Sequence, residues 1–277
     1  MKYRVLLTTS IAICGQLVVS NDSYASESKT PERIDTENVV TEKWHLSPEF
    51  LRQQVTLSMS PGRAVKSLIS HYPESITSIV SVALDQYPEQ YKEIIYSAVS
   101  AQPYSSEEIV TIAVDKGISE CASIVETAIN AEPSYVSFVA AAAMQASPED
   151  FNDILRVAVT TEPNSADKIV QTVAKSYPER ITEILSNTVK YVPKIGEYVV
   201  DALLAVFPDD AEEVVSITVR ESAADKGQLG KIMHSAINAG IDRDVVAQYA
   251  IQGGASKEAV NLVMAQREEL EKAIKYD

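Results

Sequence analysis

The side chains most capable of chemistry in this chain are its paired acids, its two cysteines, its three histidines and an excess of tyrosine. Adjacent carboxylates stand at Glu107–Glu108, Asp209–Asp210 and Glu212–Glu213, where they could hold a cation or act as an acid–base pair. A calcium loop alternates its acids around a glycine turn, whereas these pairs fall inside helical patterns. They read better as solvated acids at helix starts, where the positive end of the helix dipole favours them. Cys121 would serve as a nucleophile only beside a base in an electropositive setting, and its neighbours in sequence offer neither. His45, His71 and His234 share no ligand spacing, and the chain has no HExxH, CxxC, phosphate-binding glycine loop or nucleophile elbow. Gly253–Gly254 lack the lysine of a phosphate loop and read as a helix cap. No cofactor, metal site or catalytic residue is therefore expected.

Tyrosine is the more informative excess, at thirteen against four phenylalanines and one tryptophan. A tyrosine pairs an apolar ring with a polar tip, which suits it to binding surfaces. Tyr96, Tyr104 and Tyr135 fall outside the apolar stripe described below and are the candidate partner-binding residues. Tyr72, Tyr87 and Tyr177, with Phe207, each stand just before a proline. Lined up along one edge, such rings could grip a peptide or glycan, or staple neighbouring turns to one another.

The elements that position these residues follow from the prolines. They recur every fifteen residues at 73, 88, 103, 133, 148, 163, 178, 193 and 208, and only Ile118 breaks the series. Counting each unit from the residue before its proline, slots 5, 8, 9, 12 and 13 are mostly apolar, as in Ile76, Ile79, Val80, Ala83 and Leu84. That i, i+3, i+4, i+7, i+8 spacing is one stripe of an α-helix. Proline is tolerated in a first helical turn and pushes the preceding residue out of helical geometry, so each proline is expected to end one helix and start the next. One continuous helix would carry nine interior prolines at about 3 kcal/mol each, which excludes it. The expected fold is all-α: a solenoid of short antiparallel helices, each hiding its stripe against its neighbours. Ser47-Pro48 marks the first helix start, and Trp44 is placed to plug the open apolar end. The register continues through units at 222–236, 238–252 and 253–267, where glycine caps are expected in place of prolines.

Both termini differ from the repeat. Lys2 and Arg4, a short apolar run and the small residues Ser23 and Ala25 make residues 1–25 read as a secretory signal peptide. Residues 26–43 read as a flexible polar leader, 44–221 as the helical-repeat solenoid and 222–277 as glycine-richer C-terminal repeats with a cap. The formal charge is −15, and loss of residues 1–25, which hold Lys2, Arg4 and Asp22, would leave −16. That balance argues against nucleic acid and against anionic membrane surfaces. No membrane insertion is expected once the signal is removed.

This stacking resembles the HEAT, armadillo and tetratricopeptide class of α-solenoids, over residues 46–270 and in helix packing alone, since the repeat is far shorter and carries none of their signature residues. The resemblance implies an elongated surface on which many modest contacts add up. The expected role is an exported, non-enzymatic scaffold, periplasmic or secreted from a Gram-negative bacterium, that binds a protein or a glycan along an acidic surface. A self-associating structural component is the first alternative. An enzyme with a site in the glycine-rich segment 227–254 is the second.

Overall fold

The computed structural model describes residues 46–225 and 227–276. Trp44 and His45, the proposed signal and the leader lie outside the described residues. What is described is a stack of fifteen α-helices. These are α1 (Pro48–Ser58), α2 (Pro61–His71), α3 (Ile76–Gln86), α4 (Tyr91–Ala101) and α5 (Ser106–Asp115). The stack continues with α6 (Cys121–Ala131), α7 (Val136–Ala146), α8 (Phe151–Thr161), α9 (Ala166–Ser176) and α10 (Ile181–Tyr191). It ends with α11 (Gly196–Leu204), α12 (Ala211–Glu221), α13 (Gln228–Asn238), α14 (Arg243–Gln252) and α15 (Lys257–Tyr276).

The repeat prolines do not sit in the α-helices. Each opens a three-residue 3₁₀ turn, such as Pro73–Ser75 or Pro178–Arg180, and the α-helix begins after it. The residue before the proline makes both connections. Tyr87 donates its N–H to Ala83 O at 2.9 Å, closing α3, while its carbonyl accepts from Gln90 N at 3.0 Å, forming the 3₁₀ turn. Proline forces that residue out of helical geometry, here to φ −136° and ψ 57°, and the chain turns there. Only Pro48 and Pro61 start α-helices directly, capped by Ser47 and Ser60. Where Ile118 replaces a proline, Gly117 ends α5 at φ +58° and α6 still begins on the beat at Cys121.

The expected stripe is the core. Residues at slots 8 and 9 from Ile79–Val80 through Val214–Val215 are fully solvent-excluded. Each such aliphatic side chain contributes about 1.5–3 kcal/mol on burial. The helices form two layers: odd-numbered helices pack on odd (α3, α5, α7, α9, α11, α13) and even on even (α2 through α14). Each helix also packs on its sequence neighbours in the other layer. Slot 12 is alanine in six successive units, from Ala83 to Ala158, all fully buried. A methyl there lets helices approach at the short end of the usual 8–10 Å.

Two expectations need correction. The unit at 222–236 is out of register: buried Ile232, Met233 and Ala236 stand three positions later than slots 8, 9 and 12 require. Extra residues in the 222–227 loop postpone the helix, and Gly230 and His234 at stripe positions would have left a hole. The junction aromatics also do not share one edge. Consecutive junctions lie at opposite ends of antiparallel helices, so Tyr72 is on one edge while Tyr87, Tyr177 and Phe207 are on the other. Further on, Gly240 and Gly254, both at φ +97°, cap α13 and α14. Among the described residues, no helix is long and apolar enough to cross a membrane.

Candidate binding surface

The structure separates the groups that could have done chemistry. Cys121 is 7% exposed, and burial, with the carboxylates of Asp150 and Glu149, pushes its thiol up to about 11. A thiol so shifted is protonated at neutral pH and is a poor nucleophile. His71 lies at the end of α2 with Nδ1 2.7 Å from Ser67 O, whereas His234 is in α13, its Nε2 buried without a partner. Burial, and then Arg267, holds the His234 value below its usual range. Asp209 and Asp210 stand in a 3₁₀ turn, and Glu107, Glu108, Glu212 and Glu213 in first helical turns. Among the described residues there is no cluster of acids, histidines or cysteine that could hold a metal ion.

The three candidate tyrosines occupy different places. Tyr96 is 49% exposed on α4, in the shallow groove between α4 and α6 with Lys92, Glu93 and Asn130. Tyr104 is 70% exposed on the 3₁₀ turn before α5. Tyr135 is on the turn before α7 but packs against the core and tilts against Phe138, ring centroids 6.0 Å apart. Tyr104 and Tyr135 therefore share the odd-layer starting edge, while Tyr96 belongs to the even layer. The junction residue Tyr177 meets Phe151 edge-on at 5.3 Å, with the Arg180 guanidinium 3.5 Å above the Phe151 ring. That contact joins the turn to the preceding helix of the same layer, which is the stapling arrangement.

A separate concavity lies on the odd layer. A groove of about 740 Å³ crosses the outer face of the odd layer obliquely, touching α3, α5, α7 and the end of α9. Its floor is Thr111, Ile112, Ala141 and Ala142, all half-buried. Glu107 and Glu108 stand at its α5 end, and Gln145 and Tyr177 at its far end. The floor residues occupy slots 10 and 11, which lie outside the core stripe of slots 5, 8, 9, 12 and 13. They were hidden from a fifteen-residue reading, because the same slots on even helices α4 and α6 hold Tyr96 and Glu126. Sorting the units alternately would have exposed the row Ser81, Thr111, Ala141 and Val82, Ile112, Ala142.

A second cleft, of about 650 Å³, opens where the register slips, between α12, α13 and α15. It is apolar, with Leu229, Leu262 and Val263, and Asp225 is the titratable side chain among its described lining residues. The Ser222 hydroxyl beside it is buried without a partner, and lies 3.2 Å from where a Cβ on Gly196 would stand, so it faces the core. Same-layer neighbours are also pinned by ion pairs, Lys116–Asp85 at 2.6 Å and Lys231–Glu197 at 3.0 Å. Neither a family model, nor a curated protein, nor a solved structure matches this chain.

Proposed function

We propose that this protein is an exported helical-repeat scaffold that binds another protein along its acidic surface and acts by binding alone. The observation that carries the reading is the odd-layer groove, which crosses four helices without enclosing a pocket. A small-molecule site would bury most of its ligand, whereas a groove of this form suits a polymer lying across the repeats. The signal-like residues 1–25 support export, and the charge of −15 supports a partner of opposite sign. Tyr104 supplies an exposed ring on the odd-layer starting edge, and Tyr96 supplies one on the even layer.

The test is cross-linking in the native host followed by capture of the full chain from envelope and medium. A reproducible protein partner, lost when Tyr96, Tyr104 and Tyr135 become alanine or when Ala142 becomes tryptophan, supports the scaffold. Recovery of the protein alone, as multimers, sinks it. A second reading, end-to-end assembly, is favoured by Leu57 (72% exposed) and Met59 (81% exposed) at the α1 end and by Leu262 (60% exposed) on α15. Sedimentation of a Leu57→Glu/Met59→Glu variant tests it: multimers that persist unchanged count against those residues.

A further inference from the structure

We infer that the odd-layer groove takes one extended, basic peptide segment, its lysine or arginine side chains held by Glu107 and Glu108 and its small side chains lying over Ala141 and Ala142. This rests on the binding-scaffold reading and names the partner's chemistry. The first argument is charge. Glu107 and Glu108 are exposed, they are the charged residues lining the groove, and among the described residues neither has an ion-pair partner. Four acids on the two layers are neutralised in place, Asp85 by Lys116, Glu197 by Lys231, Asp153 by Arg156 and Glu183 by Arg180. The groove thus presents two carboxylates without an ion-pair partner near one end, while the far end receives the C-terminus of α9, whose last turn already carries Lys175.

The second argument is width and length. A floor of two alanines, a threonine and an isoleucine leaves room for a backbone with small side chains. Crossing from α3 to α9 takes three interhelical steps of about 8–10 Å, or about 24–30 Å. An extended chain covers that with roughly eight residues. The third argument excludes occupants from this chain itself. Residues 26–43 carry Glu27, Glu32, Asp35, Glu37 and Glu42 against Lys29, Arg33 and Lys43, so the leader is acidic. A second copy at −15 is repelled likewise.

The experiment is fluorescence anisotropy of the full chain with three labelled probes. They are an eight-residue peptide with two arginines followed by alanines and serines, the same peptide with glutamates for arginines, and maltoheptaose. The basic peptide is expected to bind, and the acidic peptide and the sugar are not. Glu107→Gln/Glu108→Gln should weaken the basic peptide on the order of tenfold. Glu212→Gln/Glu213→Gln, an identical charge change in the first turn of α12, should leave it unaltered. Ala142→Trp should block binding, with circular dichroism confirming the fold of each variant. Equal loss from both double variants would reduce the effect to bulk charge and overturn the assignment. So would absence of basic-peptide binding, or sugar binding that survives Glu107→Gln/Glu108→Gln and is lost in Ala142→Trp. If the basic peptide fails while a host protein is still captured through the tyrosines, the groove assignment falls and the scaffold stands. Failure of both experiments removes the two together.

Discussion

Replacing Gly253 with alanine separates two reasons for which a glycine is required. Gly253, the last residue before the α14 cap, has φ −69° and ψ −2°, a conformation any residue adopts. On backbone grounds alone alanine would stabilise it, by about 0.5–1 kcal/mol. The space around it says the opposite. A Cβ at Gly253 would stand 2.4 Å from Ser216 O, 2.9 Å from Val219 Cβ and 3.1 Å from Ser216 C, all on α12. Ordinary carbon contacts begin near ~3.5 Å, and two of these three atoms are backbone. The clash is relieved only if α14 withdraws from α12 by about 1 Å, and overpacking of this kind costs about 1–3 kcal/mol. The expected net change, after the backbone gain, is a destabilisation of about 1 kcal/mol. Gly240 and Gly254 are the controls, both at φ +97° with no atom within 4 Å of a built Cβ. Alanine there pays only backbone strain, about 1–2 kcal/mol. Urea unfolding with native-state hydrogen exchange measures both, because repeat stacks unfold by segments. Gly253→Ala should lower protection in α14 and α15 while α3–α9 stay unchanged. If Gly253→Ala is as stable as the parent or more stable, the close approach of α14 to α12 is wrong.

Three other outcomes follow from buried polar groups. Thr188 Oγ1 is buried in α10 without a partner, so Thr188→Val should raise stability by about 1 kcal/mol. Thr218→Val should not, because that hydroxyl already donates to Val214 O at 2.6 Å. With its thiol at about 11, Cys121 in a Cys14→Ser background should alkylate roughly a hundredfold more slowly at pH 8 than an ordinary thiol of value 9.0. The unfolded chain ionises first, so this group's contribution is intact below pH 9 and is lost as pH rises toward 11; rapid labelling at pH 8 would refute the buried placement. His234 has its value lowered from 6.5 by burial and by Arg267, with Glu271 opposing. The unfolded chain therefore takes up the proton first, and stability is lost as pH falls below 6.5 through the lowered folded value. Protection factors in α13, corrected for the intrinsic pH dependence of exchange, should fall between pH 7 and 5.5, and His234→Leu should flatten that dependence.

The layers of the fold were legible because each fifteen-residue unit carries its own boundary and its own stripe. Proline at slot 2 and aliphatics at slots 8 and 9 are local signals, and Ile79, Val80 and their equivalents are buried as the period requires. The 3₁₀ turns were not legible, since proline is equally at home in a first α-turn. The slip at α13 was missed for a related reason: without a proline to mark its start, a helix is placed only by apolar spacing. Leu229 and Met233 fit two registers equally well, until Ile232 and Ala236 are seen to be buried. Of the candidate site, exposure at Tyr96 and Tyr104 was readable from their slots, but Tyr135 was not. It stands at slot 4, which on an odd helix start leans on the core and on Phe138.

The binding surface has a longer period than the fold. Folding asks the same of every helix, so the core slots repeat every fifteen residues. A surface belongs to one layer, and each layer is visited every thirty. At slot 5 the even helices α4, α6, α8 and α10 carry Tyr91, Cys121, Phe151 and Ile181, while the odd helices from α5 carry Ser106, Val136, Ala166 and Gly196. The odd side is the smaller at this slot, and it is the odd layer whose outer slots 10 and 11 shrink to Thr111, Ile112, Ala141 and Ala142 and open the groove. The even layer instead spends those slots on Tyr96, Glu126 and Arg156, the last of which pairs with Asp153 on the same helix. Glu107 and Glu108 are left unpaired on the side where the helices leave room. The doubling of the period from core to surface is the pattern on which the proposed docking at the odd face rests.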